Sequence, residues 1–191
     1  MPNNIDLVDI RYRIAENDHT ALKALYDHYS TAFFQLAHAI VNSREMAEEI
    51  VEDVFIQVWK KRTRIGKVEN LHLYLYVTTR NISRSYLRKY GHKKFINFDE
   101  VQLPYYCVDI TPEDAMISGE IIQRINASIN ELPPKCRLIF KLVKEDGLKY
   151  REVADLLHLN LKTVENQMGI ALKKIHTAVR IYLPRYLQTR F

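Results

Sequence analysis

The stretch from His72 to Lys94 carries Arg80, Arg84, Arg88, Lys89, Lys93 and Lys94 and no acidic residue, with Tyr74, Tyr76, Tyr86 and Tyr90 interleaved. Cations neutralise phosphates and aromatic rings stack on unpaired bases, so this composition suits a path for single-stranded nucleic acid. Arg80, Asn81, Arg84 and Arg88 recur on roughly one face at helical spacing. Against this stands a plain packing role for Tyr74 and Tyr86, and at least one of the two is expected in a core.

A second constellation is YREVADLLHLNLKTVENQMGIALKKI, Tyr150 to Ile175. Ala154 is small where a second helix must approach closely, and Val164, ten residues on, packs back against it. Leu156, Leu157, Leu159 and Leu161 close the core between the two helices, and Asn160 caps the second. The pattern is a helix-turn-helix, whose second helix can enter a major groove. Its outward residues are Lys162, Thr163, Glu165, Asn166, Gln167, Gly169, Lys173 and Lys174. Asn and Gln pair with adenine edges, Glu accepts from cytosine, and Lys holds phosphate. An ordinary helical hairpin with a solvated outer face is the competing reading. His158 sits at the turn, where Gly is favoured.

These residues need helices to hold them. Apolar positions from Thr20 to Val41 (Leu22, Leu25, Tyr26, Tyr29, Phe33, Leu36, Ala37, Ile40) predict one amphipathic helix. Asn42 and Glu45 resemble a capping box that opens a second helix to about Arg62, acidic in its first half and basic at its end. A third runs from about Glu69 to Tyr90 and stops at Gly91. The composition then inverts: Phe95 to Glu120 holds six acids and no Lys or Arg. Thr111-Pro112-Glu113-Asp114 opens a second module, predicted as helices from there to Leu132, Pro134 to Asp146 (ended by Gly147), Tyr150 to His158 and Lys162 to Leu183. The expectation is an all-α protein of two small helical domains, residues 1–94 and 112–191, joined by an acidic linker at 95–111.

Composition agrees. Of 191 residues, 47% are hydrophobic and 27% charged, which excludes a disordered chain, and only five Gly and six Pro disfavour an all-β fold. A net charge of +5 permits nucleic-acid binding without establishing it. Cys107 and Cys136 form no CxxC pair, and the seven His form no metal spacing. No apolar run reaches the roughly 18–20 residues that span a bilayer. The first ten residues lack a signal-peptide pattern. A cytoplasmic protein with no cofactor, no metal, no small-molecule substrate and no enzymatic motif is expected.

In order and spacing the motifs resemble the extracytoplasmic-function (group IV) sigma factors, a minimal branch of the sigma-70 family. The likeness rests on AEEIVEDVFIQVWKKR (Ala47 to Arg62), YLYVTTRNISRSYLRK (Tyr74 to Lys89) and the module from Glu131 to Ile175, together with Leu25-Tyr26-x-x-Tyr29. It covers most of the chain outside the linker and tail. The resemblance implies a sigma-2-like domain of three or four helices and a sigma-4-like domain of four. It implies that Glu48, Glu49, Asp53, Gln57 and Trp59 dock on core RNA polymerase. Tyr76, Arg80, Asn81, Arg84, Arg88, Lys93 and Lys94 would meet the single-stranded −10 element, and the helix-turn-helix would read duplex −35 DNA. An anti-sigma factor, in many relatives membrane-anchored, is the implied regulator. The linker would either mimic nucleic acid in the polymerase's RNA-exit path or act as a plain spacer.

Three departures from the family pattern stand out. Ile170 replaces a common Arg or Lys, Glu52 a common Gln, and Lys149 a Ser cap, so that the helix at Tyr150 is expected to fray. Two other classes compete with a sigma factor. A stand-alone helix-turn-helix regulator, binding as a dimer, has no use for the basic-aromatic helix. A sigma-like decoy for an anti-sigma factor has no need of its cations.

Overall fold

The computed structural model describes residues 6–90 and 119–180. Among the described residues there are helices only, in two compact units. The first holds α1 Leu7–Ala15, α2 His19–Val41, α3 Arg44–Lys60, α4 Arg62–Ile65 and α5 Leu71–Lys89. The second holds α6 Gly119–Asn130, α7 Pro134–Lys144, α8 Tyr150–Leu157 and α9 Leu161–Val179. The all-α expectation is met. The expected limits at 94–95 and 111–112, the acidic linker, Lys93, Lys94, the Thr111-Pro112 cap and Pro184 all lie outside the described residues.

In the first unit α2, α3 and α5 pack on one another, and α1 lies against α4 and α2. The core joins Leu25, Phe33 and Leu36 of α2 to Ile50, Val54 and Val58 of α3 and Leu75 and Tyr76 of α5, all buried. Aromatic rings fill its centre. Tyr29 stacks on Phe33 with centroids 5.1 Å apart, and Tyr76 meets Phe33 edge-on at 5.4 Å. Tyr29 Oη and His72 Nδ1 share a hydrogen bond of 2.7 Å, which fixes the start of α5.

The caps differ in detail from expectation. Asn42 is left-handed, at φ 51°, and ends α2; Asn tolerates that conformation. Ser43 is the cap of α3 instead, its Oγ accepting from the Met46 amide at 3.3 Å and donating to Glu45 at 2.9 Å. The second helix ends at Lys60, and Arg62 and Arg64 beyond it fall in the short α4. Helix α1 was not anticipated. It packs where Gly66 follows α4, since a Cβ on Gly66 would lie 2.9 Å from Ala15 Cβ.

Asp18 caps α2. It accepts from the Thr20 hydroxyl at 2.6 Å and the Thr20 amide at 2.7 Å, and pairs with Arg13 at 2.8 Å. The Thr20 hydroxyl, then Arg13, hold its carboxyl well below the usual carboxylate range. A depressed carboxylate stabilises the fold above its unfolded pKa and loses that contribution as pH falls through the folded one. The first unit should therefore weaken below about pH 4, the ordinary value for an unfolded Asp. Asp18→Asn should flatten that dependence. Trp59, the only tryptophan, reports this unit in urea titrations at pH 2.5 to 6.

In the second unit α9 lies against α6, α7 and α8. Leu138, Ile139 and Leu142 of α7, Val153, Leu156 and Leu157 of α8, and Val164, Met168 and Ala171 of α9 are buried together. Leu159 and Leu161 are half-buried at the edge of this core. Gly147 follows α7 at φ 70°, a conformation glycine adopts without strain. His158 takes the left-handed turn at φ 53° and still ends α8. At the start of α8, where Lys149 stands in place of a Ser cap, the Glu152 carboxylate accepts from the Lys149 amide at 2.8 Å, one half of a capping box.

Candidate nucleic-acid interface

Helix α9 begins at Asn160, whose side chain accepts from the Lys162 amide at 2.8 Å. Val164, Met168 and Ala171 recur at i, i+4 and i+7 and anchor one face in the core. The opposite face is consequently exposed among the described residues. Lys162, Asn166, Gly169 and Lys173 form an exposed row along it, with Glu165 exposed on one flank and Thr163 half-buried on the other. Among the described residues nothing lies within 4 Å of where a Cβ on Gly169 would sit, so a side chain there would meet open space. Lys162 reaches Glu165 at 3.1 Å, a pair with both side chains in solvent and of little energetic weight.

Two expected members of this set sit differently. Gln167 is half-buried, at the edge of the face turned to α7, and its carbonyl accepts from Cys136 Sγ at 3.2 Å. Lys174 is turned onto Glu131, bonding its carbonyl at 3.0 Å and its carboxylate at 3.2 Å. Neither shares the open row. Ile170 is half exposed beside it and lines a shallow groove against Ser128 and Glu131.

Helix α5 is capped by Asn70, whose side chain accepts from the Leu73 amide at 2.9 Å. Its buried face carries Leu71, Leu75, Tyr76, Thr78, Thr79 and Ser83. Thr79 and Ser83 donate their hydroxyls to carbonyls one turn back, so they are buried without an unmet donor. Asn81, Arg84 and Arg88 are exposed at i, i+3 and i+7 on the opposite face. Arg80 is half-buried beside them and donates from Nε and Nη2 to Asn81 Oδ1 at 3.2 and 2.9 Å.

Tyr76 is a correction. It is 1% exposed, wedged among Phe33, Tyr29 and His72, and has no access to a base. The exposed aromatic at this end is Tyr90, 48% accessible, with the Lys89 ammonium over its ring at 5.2 Å. Tyr86 is half-buried and donates its hydroxyl to Asp53 at 2.7 Å.

The residues expected to dock polymerase are on α3 but do not form one patch. Glu48 is exposed and paired with Arg44 at 2.9 Å, and Glu49 is exposed one residue on. Trp59 lies partly under His19, ring centroids 4.2 Å apart, with the Arg62 guanidinium 5.1 Å from its ring. Gln57 and Asp53 are half-buried on the flank toward α5. Between the flanks lies Ile56, 48% exposed and one turn beyond Glu52. Tyr26, 44% exposed, covers Phe55 at 4.9 Å. Phe55 itself is core, as its 6% exposure shows. Ile56 was not singled out from sequence, and Tyr26, expected on the apolar face of α2, lies at its exposed edge instead. The available signal was an apolar residue at Ile56 falling out of the helical period that buries Val54, Phe55 and Val58.

Comparison with known proteins gives this arrangement its class. Residues 25–93 match the Sigma-70 region 2 family and residues 122–175 match Sigma-70, region 4. The two matches cover separate helical modules in the family's order, and the chain belongs to the sigma-70 family. A sigma factor named SigK from Mycobacterium tuberculosis strain H37Rv is 22% identical over 179 residues, covering 92% of this chain and 95% of that one. SigW of Bacillus subtilis strain 168 is 23% identical over 163 residues, covering 82% and 87%. Both are extracytoplasmic-function RNA polymerase sigma factors by name. This chain is a sigma factor of that same kind, which acts with RNA polymerase in promoter-specific initiation. Among solved structures, CnrH in complex with the cytosolic domain of CnrY shares the fold, with a TM-score of 0.50 and 17% identity over 91% of this chain and 97% of that one.

Proposed function

We propose that the two units divide promoter recognition between them. The exposed row on α9 reads duplex −35 DNA from the major groove, Asn166 contacting a base edge while Lys162 and Lys173 hold phosphates. Glu165 and Thr163 flank the contact. On α5, Asn81, Arg84 and Arg88, with Arg80 beside them, hold the unpaired −10 strand. Lys93 and Lys94 extend that cationic path in sequence, and Tyr90 supplies the stacking ring in place of Tyr76. The acids Glu48 and Glu49, with Ile56 and the free edge of Trp59, dock the core polymerase. The protein contributes binding energy and strand capture, and the polymerase performs phosphoryl transfer. It works in the cytoplasm with no catalytic group of its own, and its regulator is an anti-sigma factor. The CnrH complex, in which a similar fold meets the cytosolic domain of another protein, supports that last assignment.

The observation that carries the −35 reading is the row Lys162, Asn166, Gly169, Lys173. Lys162, Asn166 and Lys173 are of base-reading and phosphate-holding types, and they lie on a face of α9 that stays exposed among the described residues. A contact to phosphate and a contact to a base leave different signatures. Lys162→Ala with Lys173→Ala should lower the slope of log affinity against log salt by about 2 on every promoter. Asn166→Ala should instead weaken binding by about 1–3 kcal/mol at one base pair and relax preference there. Polymerase–promoter affinities across salt and across single-base variants check both. A uniform loss from Asn166→Ala would assign it to the backbone rather than to a base.

A further inference from the structure

Asp53 was expected on the polymerase-docking face, yet its carboxylate is turned the other way. Oδ2 accepts the Tyr86 hydroxyl at 2.7 Å in a half-buried contact that joins α3 to α5 across 33 residues of sequence. The place of this bond on α5 gives it consequence. Every fully buried side chain of α5 lies between Leu71 and Ser83; from Arg84 to Lys89 the helix buries none completely. The last turn and a half is thus held by the half-buried Tyr86 and Leu87 while it carries Arg84 and Arg88 on its outer face. Tyr86 also meets the Tyr90 ring at 5.9 Å. Helix α5 is accordingly fastened by aromatic hydroxyl bonds near both ends, Tyr29 with His72 at the start and Tyr86 with Asp53 at the finish. Burial, then the bond to Asp53, pushes the Tyr86 hydroxyl well above its ordinary titration range, so it stays a donor at physiological pH.

We propose that Asp53 is a positioning residue for promoter opening: through Tyr86 it fixes the rotation of the end of α5 and hence where Arg84 and Arg88 meet the −10 strand. The inference rests on the assignment of α5 to that strand. A charge-assisted hydrogen bond is stronger than a neutral one, and its loss frees a helix end that, among the described residues, is otherwise held by half-buried side chains alone.

The test uses the full-length protein with core polymerase on a promoter carrying 2-aminopurine in the −10 segment. Asp53→Ala and Tyr86→Phe should each slow opening by about three- to tenfold, the range for one such bond in a partly exposed site. The affinity for core polymerase should change less than about twofold. The double variant should open no more slowly than the slower single one, because both remove the same bond. Asp53→Asn, which keeps an acceptor oxygen but not the charge, should open faster than Asp53→Ala and more slowly than the unsubstituted protein. The proposal is overturned if Asp53→Ala weakens core binding while Tyr86→Phe changes neither quantity, which would make Asp53 a docking contact. It is overturned equally if the two effects add. Failure of the unsubstituted protein to open any promoter would contradict the promoter reading itself and the proposal with it, an outcome distinct from both.

Discussion

Tyr76→Ala is expected to remove about 3–5 kcal/mol from the first unit, the range for deleting a buried aromatic ring. Small domains have roughly 5–15 kcal/mol in all, so this one substitution brings the unit close to its unfolding threshold. The ring sits between α2 and α5 with Phe33, Tyr29 and His72 around it, and no neighbouring side chain can swing in to fill the gap without leaving its own contacts. Tyr76→Phe keeps the ring and its packing, and should cost no more than about 1 kcal/mol, the size of one hydrogen bond. Urea titrations followed by Trp59 fluorescence separate the two. The pair also decides what Tyr76 does. If it were a platform for a captured base, Ala would impair promoter opening at full stability. The structure predicts that opening fails only because the unit does.

Val164→Asp should have a comparable effect on the second unit and none on the first. Val164 is wholly buried near the start of α9. A carboxylate forced into this apolar position loses its hydration, and a buried charge left without a partner costs about 3–5 kcal/mol. Helix α9 would leave the hairpin, scattering Lys162, Asn166 and Lys173. The expected result is loss of −35 binding with Trp59 fluorescence unchanged. Far-UV circular dichroism should lose the helicity of one unit alone. Retained −35 binding would mean that α9 does not depend on this hairpin core.

The positions most legible in the sequence were those where apolar spacing and a capping residue agree. In α2 the period of three and four picks out Leu25, Tyr29, Phe33, Leu36, Ala37 and Ile40, all buried, while Leu22 is half-buried and Tyr26 exposed at the edge of that face, and Asn160 caps α9 as its type and place suggest. The adjacent pair Asn42-Ser43 was read one residue early because both are capping types; what separates them is that Asn42 closes the preceding helix in a left-handed turn. Helix α1 does show Leu7, Ile10 and Ile14 at helical spacing, but nine residues give too few repeats to distinguish it from chance. Tyr76 was misplaced for a different reason. The buried face of α5 is lined by Thr78, Thr79 and Ser83, which satisfy their hydroxyls against the helix itself. Hydrophobic periodicity is blind to such a face, and the tyrosine on it looked like a member of the cationic one. The same limit hid the partner of Asp53. A bond between residues 33 apart leaves no trace in local spacing.

The central claim is that the α5 and α9 rows direct RNA polymerase to promoters. Run-off transcription with purified core polymerase on a library of promoter sequences, with and without this protein, tests it most directly. The account predicts initiation that depends on the protein, selects a −10 and a −35 sequence, and falls on Asn81→Ala for the first element and Asn166→Ala for the second. Initiation that is unaffected by the protein, or that shows no sequence preference, would contradict it.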